Sequence, residues 1–112
     1  MSFMVMITGQ AEADIDRNAM WWAEHHSIEQ AITWIQALRE QIDSRSTMPE
    51  RYSIAPENHL FNYEIRQCSV GLGSRPSFRA IYTIVDDRVL VLTIRRGAED
   101  TLRADQLPPS VE

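Results

Sequence analysis

Residues 60–96 constrain the fold more than any other part of this 112-residue chain, because they carry the pattern of three successive β-strands. Apolar and polar side chains alternate over residues 61–66, which is typical of a half-buried strand. After a loop rich in Gly, Ser and Pro, residues 78–85 and 89–94 are rich in β-branched and aromatic side chains. Asp86-Asp87 lies between these two runs and fits a tight hairpin turn. The sequence therefore predicts an antiparallel meander.

The last two predicted strands are apolar on both faces. In the first of these strands, Phe78, Ala80, Tyr82 and Ile84 would lie on one face and Ile81 and Val85 on the other. In the second, Val89 and Val91 would lie on one face and Leu90, Leu92 and Ile94 on the other. An antiparallel sheet with one face in water alternates more regularly than this. Either the chain itself covers both faces, or one face is left for a partner.

The first half of the chain predicts one strand followed by two helices. Residues 3–7 form a short apolar run that fits a buried strand, and Thr8 can cap the helix after it. Ser27 with Gln30 forms a capping box, so a second helix is expected from Ile28 to about Asp43. Its predicted apolar stripe, with Trp34 to one side, comprises Ile28, Ala31, Ile32, Ile35, Leu38 and Ile42.

Together these elements predict an α+β fold: an N-terminal strand, an αα-hairpin, and then a three-stranded antiparallel meander. The length suits a single domain over residues 1–112. From about residue 98 the chain is polar and acidic, and Pro108-Pro109 predict an end that is either irregular or frayed, with room for a helical turn before them.

Charge is unevenly distributed along the chain, whose net charge is −5. Residues 1–50 carry −5, residues 51–96 carry +3 and residues 97–112 carry −3, and every basic residue in the basic segment is an arginine. An overall acidic domain binds nucleic acid poorly without specific contacts, so no stand-alone nucleic-acid binding is expected.

Composition also limits the location and cofactors of the chain. No apolar run approaches the roughly 20 residues that span a bilayer, and Met1-Ser2-Phe3-Met4 shows neither the basic region nor the cleavage site of a secretion signal. The lone Cys68 suits the cytoplasm as a small buried thiol. The acids Glu12, Asp14 and Asp16 are expected to complement the helix dipole on a solvated surface. His25-His26 lacks converging ligands, so no metal and no cofactor are predicted.

Four arginines punctuate the meander and form its candidate site: Arg66, Arg79, Arg95 and Arg96. One interpretation is that they are rim charges or form local salt bridges with Glu57, Glu64 and Asp86. The other is that they contact a phosphate or a carboxylate of a partner, for which arginine is well suited. The residues alone leave both interpretations open.

The order of elements and several short motifs resemble the RelE/ParE toxin superfamily of type II toxin–antitoxin modules, which includes plasmid-stabilisation proteins. The resemblance covers about residues 4–100. Its motifs are the helical-hairpin pattern Trp22, His26-Ser27, Ala31 and Trp34, the Pro49 and Ala55-Pro56-Glu57 positions, Glu64-Ile65-Arg66, Phe78-Arg79-Ala80-Ile81-Tyr82, and Val91 to Arg95.

The resemblance implies one of two activities. RelE-like members cut messenger RNA on the ribosome with a basic cluster and often a C-terminal Tyr or His, whereas ParE-like members lack the cluster and poison DNA gyrase. Here Glu64-Ile65-Arg66 stands where Lys-x-Lys would be expected, and Ala98-Glu99-Asp100 replaces a basic stretch. No Tyr or His follows Gly97. Acids at a phosphate site would repel the substrate, so the comparison favours a ParE-like toxin without nuclease activity.

The resemblance also implies the partners. A cognate antitoxin would neutralise the toxin by folding a tail along it, and an uncovered apolar sheet face would receive that tail. DNA gyrase is the expected second partner, and no membrane partner is expected. The candidate antitoxin- or target-binding residues are Arg66, Arg79, Tyr82, Arg95, Arg96 and Trp21. The alternatives are a ribosome-dependent endoribonuclease with Arg66, Arg79, Arg95 and Arg96 as its catalytic cations, and a degenerate module that binds an antitoxin without being toxic.

Overall fold

The computed structural model describes residues 3–97 and 100–111. Its helices and strands follow the predicted order: β1 (Met4–Ile7), α1 (Gly9–His25), α2 (Ile28–Arg45), β2 (Arg66–Val70), β3 (Phe78–Val85) and β4 (Arg88–Arg95). Short 3₁₀ turns lie at Pro49–Arg51, Pro56–Leu60 and Ala104–Gln106. The predicted α+β architecture is therefore confirmed.

The two helices begin at the predicted caps. The Thr8 hydroxyl accepts a hydrogen bond from the Ala11 N–H at 3.3 Å, and the Ser27 hydroxyl accepts one from the Gln30 N–H at 3.0 Å. Each bond satisfies a backbone donor that the first helical turn leaves free. Among the described residues, neither helix has the length and apolar content needed to cross a bilayer.

The four strands form one sheet in the order β1-β4-β3-β2. β2, β3 and β4 are antiparallel neighbours, as the meander requires, and β1 adds to the outer edge of β4 in the parallel sense. The turn at Asp86-Asp87 joins β3 to β4, and Asp86 has a φ of 57°, a left-handed conformation that Asp tolerates better than most residues.

The first strand of the meander begins later than its alternation predicted. The apolar members of residues 61–65 do pack inward, but the backbone there is irregular and β2 starts at Arg66. The Ile65 N–H donates to the Asn58 side chain at 2.8 Å, and the Ile65 carbonyl accepts from the Ala55 N–H at 2.9 Å. The prediction of a strand over this segment was wrong because the preceding 3₁₀ turn takes its backbone hydrogen bonds.

The helices pack on one face of the sheet and bury a first core. Trp34 is at its centre, fully buried, with its ring 5.1 Å from that of Phe78. The predicted stripe on α2 is therefore partly wrong: Ile28 and Ile32 are exposed, and Trp34 takes the inward position. Burying the large indole ring removes more apolar surface from water than burying either isoleucine, which favours the orientation of α2 that turns Trp34 inward.

A β-bulge in β4 changes which residues share a face. Ile81 is opposite Thr93 and Tyr82 is opposite Val91, so Leu92 is an extra residue without an opposite number. After the bulge Ile94 joins Val91 in the helix-side core. The prediction that placed Ile94 with Leu92 was wrong, because a bulge shifts the alternation by one residue.

The other face of the sheet is covered by the chain itself. A second core contains Ile81 and Leu92 from the sheet, Ala55 and Ile65 from the loop before β2, and Leu102 and Leu107 from the tail. The Tyr63 hydroxyl also donates to the Pro108 carbonyl at 2.7 Å. Residues 100–111 are irregular with one 3₁₀ turn, as the first alternative predicted, but they pack on the sheet rather than fray. This core no longer supports the expectation of an apolar sheet face left open for a partner.

Asp14 also departs from its prediction. Its carboxylate is buried, accepts hydrogen bonds from the Thr93 hydroxyl and the Ile94 N–H, and pairs with Arg17 at 2.7 Å. The Ile94 N–H lies on the edge of β4 beyond the end of β1, where no strand pairs with it. Asp14 is therefore a structural acid rather than a solvated one, whereas Asp16 is exposed as expected.

Candidate functional site

Arg79 is the centre of the predicted site, and it is buried. It lies in the first half of β3, directly opposite Arg95 of β4. Its Nε donates to the Gly97 carbonyl at 3.0 Å, and one Nη donates to Gln67 at 2.8 Å and to Glu57. The other Nη donates to Glu57 and to the Asp100 carbonyl at 3.0 Å. These five bonds match the five N–H donors of a guanidinium.

Glu57 is the carboxylate partner of Arg79, and it comes from the 3₁₀ turn before β2. It is 4% exposed and binds Arg79 with both oxygens, and it also accepts the Leu102 N–H at 2.9 Å. The Arg79 guanidinium, assisted by the Leu102 N–H, lowers the pKa of Glu57 to about 2 against the opposing effect of burial. The pair thus fastens the turn, the sheet and the tail to one another.

Arg66 has a similar internal role at the start of β2. Its guanidinium pairs with Glu64 at 3.0 Å and donates to the backbone carbonyls of Glu50 and Tyr52 at 2.9 and 2.7 Å. The side chain is 19% exposed. Of the interpretations left open by the sequence, local salt bridges apply to Arg66 with Glu64 and to Arg79 with Glu57, while Asp86 makes no ion pair within the described part of the chain.

Tyr82 lies beside Arg66 in the sheet and points into the helix-side core. Its hydroxyl donates to the Pro49 carbonyl at 2.6 Å, which holds the loop after α2 against β3. Burial raises the pKa of Tyr82 well above its usual range. A buried phenol with a raised pKa and an internal hydrogen bond is poorly placed to act as a base.

Arg95 and Arg96 differ in their exposure. The Arg95 side chain is 11% exposed and pairs with the Asp100 carboxylate at 3.1 Å. Arg96 is exposed, and its guanidinium lies 4.2 Å from the centre of the Trp21 ring, in cation–π geometry. Trp21 is half-buried and stacks on His25 with ring centres 4.5 Å apart. Arg96 and Trp21 therefore form the accessible part of the predicted site.

The structure thus separates the six predicted residues into two groups. Arg66, Arg79, Tyr82 and Arg95 hold loops and the tail against the sheet, whereas Arg96 and Trp21 present a cation and an aromatic ring to solvent. Sequence reasoning missed Gln67 and Asp100 as partners of these arginines, because only the folded sheet and tail bring them together. Of the acidic stretch after Gly97, Ala98 and Glu99 lie outside the described residues.

The described residues hold no metal-binding cluster, and their one cysteine is buried. Within residues 3–97 and 100–111, no group of three or more His, Cys, Asp or Glu side chains is arranged to hold a metal ion. Cys68 is buried as predicted, and burial raises the pKa of its thiol to about 11. Such a thiol stays protonated at neutral pH and is a weak nucleophile.

The chain is thus a small helical hairpin on a four-stranded mixed sheet, with arginines along β2, β3 and β4. The family model described as the ParE toxin of the type II toxin–antitoxin system, parDE, matches residues 5–101. The chain therefore belongs to the ParE toxin family of type II toxin–antitoxin systems.

The comparison with solved structures agrees at the level of the fold. A chain from the chromosomal ParDE toxin–antitoxin system of P. aeruginosa superposes with a TM-score of 0.68 at 19% sequence identity. The match covers 85% of this chain and 96% of that chain. Comparison with curated protein sequences gives no significant match.

Proposed function

We propose that this chain is a ParE-like toxin that inhibits DNA gyrase in the cytoplasm and is neutralised by a cognate antitoxin. Family membership supplies the class of protein. The observation that supports inhibition over RNA cleavage is the internal use of the arginines, above all of Arg79, whose five donors all bind groups of the same chain.

RNA cleavage requires free cations that bind the phosphate and stabilise developing charge, together with a group that moves the 2′-hydroxyl proton. Arg79 already has its carboxylate, Arg66 and Arg95 are paired with acids, and the Tyr82 hydroxyl is bound to a carbonyl. To serve a nuclease, Arg79 would have to leave its buried partner Glu57, and removing one member of a buried ion pair costs about 3–5 kcal/mol.

The accessible pair, Arg96 with Trp21, is the part of the predicted site best suited to contact a partner protein. Arginine and tryptophan are enriched among the residues that dominate protein–protein binding energies. Stacking on Trp21 holds the Arg96 guanidinium in place without using its N–H donors, so those donors remain able to bind a carboxylate of the antitoxin or of gyrase.

A supercoiling assay with purified gyrase tests the proposal. Relaxed plasmid is incubated with gyrase and ATP over a concentration series of the purified chain. Each reaction is run with and without the protein encoded by the adjoining reading frame, which is the expected antitoxin. Dose-dependent loss of supercoiling that this second protein reverses would support the proposal. Full supercoiling at every concentration of a folded, growth-inhibiting chain would overturn it.

The endoribonuclease alternative has its own test. Primer extension on translated messages would show codon-specific cuts if the chain were a nuclease, and Arg79→Ala would abolish them. Because Arg79→Ala also removes a structural ion pair, Arg96→Ala is tested beside it as a variant that leaves that ion pair intact. The proposed function predicts no codon-specific cuts with the wild-type chain or with either variant.

A further inference from the structure

A cleft of about 690 Å³ lies beside the outer edge of β2. The end of α2, the loop before β2, and the start of β3 surround it, and its apolar wall includes Tyr52, Pro56, Pro76 and Phe78. Its volume is within the range of about 300–1,000 Å³ that is usual for binding pockets. We refer to it as the β2-edge cleft.

The backbone of β2 has one unpaired position in this cleft. In an antiparallel strand every second residue directs both its N–H and its carbonyl to the same side. The Gln67 N–H points outward and binds the Ser53 carbonyl at 3.0 Å, and at Gly71 both backbone groups bind the Gln41 side chain at 2.8 and 2.9 Å. Ser69 lies between them and lines the cleft, and its outward N–H and carbonyl find no partner in the described ranges.

The charge of the cleft is positive. Arg45 lines it and pairs with no carboxylate within residues 3–97 and 100–111. Arg51 lies over the ring of Tyr52 at 5.6 Å, close to the same wall, and it too has no ion pair in that part of the chain. The acid in the lining, Glu57, is neutralised by Arg79. Arg45 does donate to the Gln41 carbonyl at 3.5 Å, but an occupant that carries a carboxylate would meet two guanidinium groups that have no carboxylate partner among the described residues.

We propose that the β2-edge cleft binds a short, acidic, extended segment of a partner polypeptide. The segment pairs with both backbone groups of Ser69, as an added strand does, and places a carboxylate on Arg45. Because Ser69 offers a donor and an acceptor at strand spacing, a polypeptide fits this edge better than the phosphates of RNA, which only accept hydrogen bonds. The partner in question is the antitoxin, so the inference rests on the proposed function.

Hydrogen exchange measured by NMR tests the backbone contact. The labelled full chain is compared alone and in complex with the protein encoded by the adjoining reading frame. The Ser69 amide should exchange at least about tenfold more slowly in the complex, because it gains a hydrogen bond. Unchanged exchange at Ser69 in a formed complex would overturn the inference, as would protection by single-stranded RNA but not by the protein.

Matched variants test the two contacts separately. Arg45→Glu should weaken the complex by about tenfold or more, whereas Arg88→Glu, at an equally half-buried arginine near the opposite edge of the sheet, should leave the affinity nearly unchanged. Ser69→Pro should weaken binding and Ser69→Ala should not, because only proline removes the outward N–H and an edge strand tolerates proline at such a position.

The outcomes separate this inference from the proposed function. If the affinity of the complex is the same for all four variants as for the wild-type chain, the β2-edge cleft is not the docking site, and the toxin assignment stays intact. Failure of the wild-type chain to bind the adjoining protein at all, while it still inhibits gyrase, would overturn both the antitoxin and its proposed place on the toxin. Thermal unfolding of each variant checks that it is folded. If Arg45→Glu does not fold, the comparison of Ser69→Pro with Ser69→Ala tests the docking site.

Discussion

Arg79 and Glu57 show how a residue that looks catalytic in sequence can be structural in the folded chain. Arg79 and Glu57 are 8% and 4% exposed, and together they bind the turn before β2, β2 itself and the tail. A guanidinium with its donors filled in this way has little capacity left for a substrate phosphate. The pair explains both the position of the tail and the absence of a free cation at the middle of the predicted site.

Glu57→Gln should lower the free energy of unfolding by about 3 kcal/mol, because it leaves the buried Arg79 without its carboxylate. Urea unfolding followed by tryptophan fluorescence measures the change. Asp105→Asn is the matched control, since Asp105 and its partner Arg103 are largely exposed, and it should cost less than about 0.5 kcal/mol. Similar small losses in both variants would contradict the structural role of the pair.

The same pair predicts a pH dependence of stability. The pKa of Glu57 falls from its ordinary value of 4.5 to about 2 in the folded chain, so ionised Glu57 stabilises the fold at pH values above the unfolded pKa. That contribution is lost as the pH falls from 4.5 towards 2. Over this range the wild-type chain should lose more stability than Glu57→Gln in matched urea titrations. Parallel losses would show that another group carries the acid sensitivity.

At the scale of elements, the edge of β4 is completed by a helix rather than by a strand. β1 is four residues long and β4 is eight, so β4 continues beyond its neighbour. The chain turns into α1 at this point, where the Thr8 N–H bonds to the Val91 carbonyl at 3.1 Å and Asp14 accepts the Ile94 N–H. The edge therefore has its backbone groups satisfied by the start of α1, which fixes the helix against the sheet.

Asp14→Ala should destabilise the chain by about 2 kcal/mol, because it leaves the Thr93 hydroxyl and the Ile94 N–H buried without an acceptor. Asp16→Ala, two residues further along the same helix and exposed, should change stability by less than about 0.5 kcal/mol. Thermal or urea unfolding of the two variants measures the difference. Equal effects would mean that the helix dipole, rather than the buried contact, dominates at both positions.

The tail is the second element whose role can be tested directly. Leu102 is 1% exposed in the core beneath the tail, so Leu102→Ala should cost about 2–4 kcal/mol. A frayed tail would make the same substitution nearly silent. Leu60→Ala, at a leucine that is 39% exposed, should cost less than about 1 kcal/mol in the same unfolding assay. If Leu102→Ala left the free energy of unfolding unchanged, that result would contradict the buried tail and support a sheet face left open for a partner.

At the scale of the whole molecule, local patterns predicted the elements and long-range contacts decided how they fit together. The caps at Thr8 and Ser27 and the turn at Asp86-Asp87 are properties of a few neighbouring residues, and all three are confirmed. The bulge at Leu92 and the burial of the tail depend on residues far apart in sequence, and no local pattern predicts them.

The candidate site divides in the same way. One of the two interpretations that the sequence left open named Glu57, Glu64 and Asp86 as salt-bridge partners of the arginines. The structure shows ion pairs for Glu57 and Glu64 but, within the described ranges, none for Asp86. Sequence reasoning did not predict that every donor of Arg79 would be used, because Gln67, Gly97 and Asp100 reach it only when β2 and the tail are in place. The number of free cations at a site is a property of the folded chain rather than of its composition.

The topology of a reporter plasmid in cells that express the chain tests the central claim most directly, because gyrase inhibition and RNA cleavage have different effects on it. Plasmid is isolated before and after induction and resolved on chloroquine gels, alongside cells that co-express the protein of the adjoining reading frame. The account predicts loss of negative supercoiling as growth stops, and its retention when the second protein is present. Growth arrest with the plasmid still fully supercoiled would contradict it.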